Sequence, residues 1–334
     1  MTEPAPSLAK PSPSRDPFER QAEPHRRALK LHCYRMLGGL RDADDLVQET
    51  LLRGWRGFDG FKGGSLRGWL IRIATNACLD ELDRRKQARR WLPDEIAPDP
   101  SNIAGGAASD VAWLEPYPEF ELADEAPGPE ARYAAREAVR LAFVAAIQAL
   151  PPRQRAALLL CDVLGWSGAE AAEALDASTA SLNSALQRAR ETLARRYPQG
   201  QPSTPSQPTP AEAALLARYV DAWETHDLDL LVAVLKEDAA CTMPPWTLWL
   251  PDRAAIARFF AQAWAACPGL RLVPVVANGQ PAFAAYQRQP DGAFAANALH
   301  VLTLEREAIA GMTLFLDPEG RLFEAFGLPA NRRE

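Results

Sequence analysis

Three groups of side chains carry the most evident chemistry. Thr179, Ser181, Asn183, Ser184, Gln187 and Arg188 stand close together in WSGAEAAEALDASTASLNSALQRARETLARR, residues 166–196. Asn and Gln can pair with an adenine edge, Arg with guanine or phosphate, and a short hydroxyl with either. A second group is basic: Arg67 and Arg72, then Arg84, Arg85, Lys86, Arg89 and Arg90, with Asn76 between them. Clustered cations neutralise phosphates, and an Asn among small residues suits an unstacked base. The third group is Asp42, Asp44, Asp45, Gln48 and Glu49. An acidic face of this kind matches a basic protein surface better than DNA. Each group also has a plainer reading: two packed helices, cations complementing a helix dipole, or a solvated helix face.

The elements that must position these groups are helical. A capped helix over 168–175, with Ser167 as cap, a turn at 176–178 and a helix over 179–197 make a helix-turn-helix, with Leu175, Leu182, Leu186 and Leu193 inward. Upstream, a helix over 131–150 ends at Pro151-Pro152 and another covers 153–163. The acidic group lies on a helix over 42–55, backed by Leu46, Val47, Leu51 and Trp55, with Asp42 as its cap. Ser65 caps a helix over 66–87 that carries the basic group and an apolar stripe of Leu66, Trp69, Leu70, Ile73, Ala77 and Leu82.

The chain has 334 residues, 47% of them hydrophobic, enough for two or three domains. Its net charge of -6 hides a segregation. Residues 26–90 hold 15 Lys/Arg against 8 Asp/Glu, whereas 91–130 hold ten acids, seven prolines and no base. Basic units flanking an acidic linker point to a polyanion partner. The expected organisation is a disordered N-terminus (1–17), a helical unit (18–90), an acidic Pro-rich linker (91–130), the helix-turn-helix unit (131–197), a Pro-rich linker (198–210) and a third unit (211–330). The five cysteines form no CxxC pair and read as reduced thiols in a cytoplasmic protein. No signal peptide, membrane insertion, metal site or cofactor is expected.

Taken together, these stretches resemble the bacterial RNA polymerase sigma factors of the extracytoplasmic function group. DADDLVQETLLRGW at 42–55 is similar to the region-two helix that grips the clamp coiled coil of core polymerase. FKGGSLRGWLIRIATNACLDELDRR at 61–85 resembles the part of region two that melts and reads the minus-ten element. Residues 149–190 resemble region four, which binds the minus-thirty-five element. The resemblance implies core polymerase and promoter DNA as partners, with the chemistry done by the polymerase rather than this chain. In one departure, TASLNSALQRAR has basic residues only at 188 and 190, so the DNA grip would be modest or lean on the loop and on Arg153 and Arg155. Whether a separate anti-sigma protein exists is left open.

The third unit begins with helices and turns to strands, an α+β pattern after two all-α units. It resembles the SnoaL-like, nuclear-transport-factor-2-like cone, and WLEPYP at 113–118 resembles a linker motif of sigma factors that carry this extension. Trp113 and Tyr117 are the expected interdomain contacts. Such a cone encloses a pocket, for which Trp246, Trp249, Asn278, Tyr286 and His300 are candidates. Asp317 reads as a turn cap. The thirteen-residue tether at 198–210 spans roughly 40 Å if extended, so the cone can fold back and control the helical units in cis. Two rivals stand beside this reading: a ligand-responsive helix-turn-helix regulator, and a small-molecule enzyme fused to a sigma unit.

Overall fold

The computed structural model describes residues 15–85, 89–96, 111–122, 138–197, 208–266 and 269–333. Lys86, most of the N-terminal segment, most of the acidic linker and most of the Pro-rich tether lie outside the described residues. The first unit packs four helices: α1 (Arg15–Ala22), α2 (Arg26–Leu37), α3 (Leu40–Gly57) and α4 (Leu66–Arg85). Gly38 ends α2 at φ +74, a conformation that favours glycine, and its backbone N–H donates to Tyr34 O. The next helix starts at once, so α3 begins at Leu40 with Gly39 as its cap, two residues before the expected start. Asp42 therefore stands inside the first turn and is not the cap. α4 is buried at Leu70, Ile71, Ala74, Thr75, Ala77, Cys78 and Leu82, on more than one face, because a second unit packs against it.

That second unit is α5 (Leu141–Gln148), α6 (Pro152–Leu158) with a π turn (Leu159–Val163), α7 (Gly168–Ala174) and α8 (Thr179–Arg196). Of the long helix expected over 131–150, residues 138–140 form a turn instead. Ser167 and Glu170 form a reciprocal capping box, and Ser178 Oγ accepts from Ser181 N.

The third unit opens with α9 (Pro210–Thr225) and α10 (Leu228–Val234). It continues through β1 (Leu235–Thr242), β2 (Trp249–Leu250), α11 (Arg253–Ala263), β3 (Leu270–Ala277), β4 (Gln280–Arg288), β5 (Phe294–Glu305), β6 (Ala308–Leu316), α12 (Arg321–Ala325) and β7 (Asn331–Arg332). The sheet order is β2-β1-β6-β5-β4-β3, with β7 beside β5. Within this sheet, among the described residues, β1 and β6 pair in parallel and the other strand pairings are antiparallel. Strand alternation sends Leu302 and Leu304 of β5 into a core with α9 and α11, where Tyr219, Trp223, Phe260, Trp264 and Phe283 meet. Leu299 and Val301 point the other way. This second face, with Tyr286, Phe294, Phe315 and Phe323, belongs to one apolar cluster continuous with both helical units. The cone is thus packed onto the helical units and is not a separate domain on a string.

Candidate nucleic-acid interface

The acidic group divides. Asp42 is turned inward: Arg85 forms a two-pronged ion pair with it at 2.6 and 2.9 Å, and Arg90 adds a third contact. Burial alone would raise its carboxyl, but the hydrogen bonds from Arg85 and the charge of Arg90 outweigh that and hold it below the ordinary value. Asp44 pairs with Lys30 at 3.0 Å, and Lys30 also holds Glu121 of the linker. Asp45, Gln48 and Glu49 line an open groove of about 770 Å³ between α1 and α3, beside Phe18, Leu52 and Trp55. Leu52 is exposed there.

The basic helix α4 is engaged along its length. Arg72 pairs with Glu173 of α7 at 2.9 Å, and Asn76 Nδ2 donates to Ala174 O at 3.2 Å. Arg84 is exposed beside Glu81, and Arg85 is spent on Asp42 and Glu81. Arg67 is exposed near the start of the helix. Arg85, expected at DNA, is therefore an internal tie, because the end of α4 lies against the start of α3.

On α8 the expected readers share the outer face. Thr179, Ser181, Asn183, Ser184, Gln187 and Arg188 are all exposed, while Leu182, Leu186 and Ala189 are buried. Gln187 donates to Glu191 at 3.1 Å. Arg153 lies beside the turn, donating to Leu175 O at 3.3 Å. A polar helix face presented by a capped helix-turn-helix is the shape that enters a major groove.

Three family descriptions match along the chain: Sigma-70 region 2 at residues 22–90, Sigma-70 region 4 at 140–193 and a SnoaL-like domain at 216–312. The ECF RNA polymerase sigma factor SigG of Mycobacterium tuberculosis is 45% identical over 320 residues, spanning 94% of this chain and 85% of the relative. The chain belongs to the ECF RNA polymerase sigma factors. SigJ of M. tuberculosis is 30% identical over 225 residues, 64% of this chain and 62% of that protein. A crystal structure of M. tuberculosis SigJ superposes with a TM-score of 0.59 at 23% identity, covering 93% of this chain and 99% of that one, a likeness of fold.

In this sigma factor the units meet around the end of α2. Arg155 is fully buried and donates to five acceptors: Met36 O, Ile147 O (3.0 Å), Gln148 Oε1 (2.8 Å), Gln148 O (2.8 Å) and Leu150 O (3.1 Å). Burial lowers its pKa to about 9. Considered for DNA on its sequence, it instead ties region four to the end of α2, since a guanidinium fork suits the converging carbonyl ends of two helices. Gln148 Nε2 donates to Arg35 O, and Arg35 Nε to Ala138 O. The linker threads the same place. Glu115 N donates to Gly38 O, Trp113 O accepts from Arg90, and Trp91 and Trp113 form a parallel bridge. Tyr117 is buried, its ring 4.7 Å from that of Tyr34.

The five residues expected around a ligand are dispersed. Asn278 is buried at the junction of the cone with the helical units. Tyr286 packs edge-on to Phe323 on the sheet's outer face and donates to Pro329 O. Trp246 is exposed on a loop and Trp249 is half-buried in the edge strand β2. Only His300 faces the interior, where Nδ1 meets Tyr219 OH at 2.9 Å and Trp223 lies 4.6 Å away. Burial pulls its pKa down to about 3, so it is neutral. Asp317 is an N-terminal cap: its carboxylate accepts from Arg321, Leu322 and Phe323 N–H groups. Arg90, grouped with the phosphate-neutralising cations on its sequence, is instead an internal tie to Asp42 and Trp113 O. Sequence reasoning missed Gly38, Arg35, Glu115, Gln148 and Gln280, whose ties between units reach partners tens to hundreds of residues away, so no local pattern marks them.

Proposed function

We propose that this sigma factor docks on core RNA polymerase through Asp45, Gln48 and Glu49 and the groove they line. In this reading α4 reads the minus-ten element with Arg67, Arg72 and Asn76, and α8 reads the minus-thirty-five element with its polar face. The observation that carries it is the separation of an acidic, partly apolar groove on α3 from an exposed base-reading face on α8. The polymerase performs the chemistry in the cytoplasm, and the cone is read as a non-catalytic module. Its interior is occupied by Tyr219, Trp223, Phe260, Trp264 and Phe283, and His300 Nδ1 is bonded to Tyr219. Transcription reconstituted with core polymerase tests the assignment, with footprinting in the presence and absence of core. Specific protection only with core is expected. A footprint unchanged by core would favour a free-standing DNA-binding regulator.

The cone is further proposed to control the sigma unit in cis. Its outer sheet face shares a core with regions two and four, and Arg72 and Asn76 are engaged by α7 in the same arrangement. A chain truncated after Tyr197 should change promoter output several-fold at equal core occupancy. Equal output would remove the cone from control.

A further inference from the structure

The β3–β4 hairpin of the cone ends in Asn278 and Gly279, with φ of +55 and +65. Positive φ at both central residues is the tight turn that Asn-Gly adopts most readily. A two-residue turn of this kind commonly sits in solvent. Here Asn278 is completely buried, and four hydrogen bonds use its backbone N–H and both ends of its amide. Its N–H donates to Tyr117 O at 2.8 Å, and Oδ1 accepts from Tyr117 N at 2.7 Å, a reciprocal pair with the linker. Nδ2 donates to Tyr34 OH at 3.0 Å, in region two, and to Val139 O at 2.7 Å, at the entry to region four. Tyr34 OH in turn donates a hydrogen bond to the Glu115 backbone O at 2.7 Å. Two residues on, Gln280 Oε1 accepts from Leu141 N, the first residue of α5, at 3.1 Å.

We propose that the Asn278–Gly279 turn is a clasp by which the cone holds regions two and four together, in the arrangement that engages Arg72 and Asn76 with α7. One primary amide touches region two, the linker and region four at once. Its two N–H donors diverge to one acceptor on each helical unit, so neither unit can swing away without leaving a buried donor unpaired. The clasp lies apart from the contacts that mask α4, which are Arg72 with Glu173 and Asn76 with Ala174 O. It sits at the hub to which α2, α5 and the linker are tied by Arg155, Gln148 and Glu115. Opening the clasp therefore releases the masked face without touching any residue assigned to DNA or polymerase. The effect on promoter binding rests on the reading of α4 as the minus-ten reader. The effect on shape does not.

The test uses the full chain with Asn278→Asp. Aspartate tolerates positive φ and keeps an acceptor for Tyr117 N. It loses both Nδ2 donors and sets a carboxylate oxygen against the Val139 carbonyl. Tyr34→Phe is the second variant, removing the Tyr34 hydroxyl while keeping its ring. The expected result is a larger radius of gyration by small-angle scattering. Binding of a single-stranded oligonucleotide with the minus-ten sequence should rise about tenfold for Asn278→Asp and less for Tyr34→Phe, both without core polymerase. A variant folded by circular dichroism, with unchanged scattering and unchanged oligonucleotide binding, would overturn the clasp. Unchanged scattering with raised binding overturns it as well, because the face would then be uncovered without opening. If the unaltered chain starts no transcription with core, the promoter reading fails instead, and scattering alone decides the clasp.

Discussion

Arg155→Met removes a buried side chain that ties the end of α2 to the end of α5 and the loop after it. Five of its bonds go to four backbone carbonyls and one amide oxygen. Two effects oppose each other. Burying a guanidinium costs several kcal/mol, which methionine would recover. Against that, hydrogen bonds from a charged donor contribute about 1.5–3 kcal/mol each, and a stranded buried carbonyl costs about 1–3 kcal/mol. Ile147 O keeps a second partner in Leu150 N, so fewer than five acceptors are truly stranded. The carbonyls sit at helix C-termini, where a positive charge is favoured, which lowers the burial cost further. The bonds should win, with a net loss of about 3–4 kcal/mol. Urea unfolding followed by tryptophan fluorescence and circular dichroism reads this as a fall in midpoint at unchanged slope. A loss below about 1 kcal/mol would refute the reasoning, because desolvation would then cancel the network.

Asp45→Lys should weaken core polymerase binding about tenfold and leave stability within about 0.5 kcal/mol, since the residue is exposed; fluorescence anisotropy checks the binding and thermal unfolding by circular dichroism checks the stability. Arg188→Ala and Asn183→Ala should each cost about 1–3 kcal/mol in binding the holoenzyme to a minus-thirty-five site, with base discrimination relaxed at one position; competition with single-base variants of the promoter reads it. His32, bonded to Thr75 at 2.9 Å, and His300 are buried and neutral, with pKa values near 3. Their unfolded-state values lie near 6.5, so the unfolded chain binds more protons between pH 6.5 and 3. Stability is present above pH 6.5 and falls as pH drops, by roughly 2–3 kcal/mol per histidine at pH 4.5; denaturant midpoints measured from pH 7 to 4.5 that stay flat would contradict the burial of both rings.

Much of the architecture was legible because it is written locally. The Ser167 and Ser178 caps, the Leu182 and Leu186 stripe and the alternation around His300 follow from spacings of three, four and two residues. Errors came where two elements compete for one residue. Asp42 looked like a cap because an acid preceded an apolar run. Gly38 and Gly39 let α2 hand over to α3 without a spacer, and the freed carboxylate found Arg85 and Arg90. Asn278 and Tyr286 looked like pocket residues because polar side chains on a cone are expected to face inward. In this chain the outer sheet face is also buried, against the helical units, and that face is invisible to strand alternation alone.

The free energy that keeps Arg72 and Asn76 covered cannot reside mainly in their own contacts. Arg72 and Glu173 keep 42% and 75% of their side-chain surface in water, so the pair is worth at most about 1 kcal/mol. The Asn76 bond to Ala174 O is neutral and partly buried, adding about 1 kcal/mol. With nothing else, about 2 kcal/mol would leave roughly 3% of molecules open at any moment. The buried junction is a different order of contact: Arg155, Gln148, Tyr34, Tyr117 and Asn278 are each at most 1% exposed and bonded across unit boundaries. Closure is therefore set at the hub, and the masked face is covered as a consequence. By this reasoning Arg72→Ala should weaken contact with DNA while leaving the scattering profile closed, and Asn278→Asp should open the profile and strengthen oligonucleotide binding. A pair of variants that swapped these effects would place the closing energy at the face instead of at the hub.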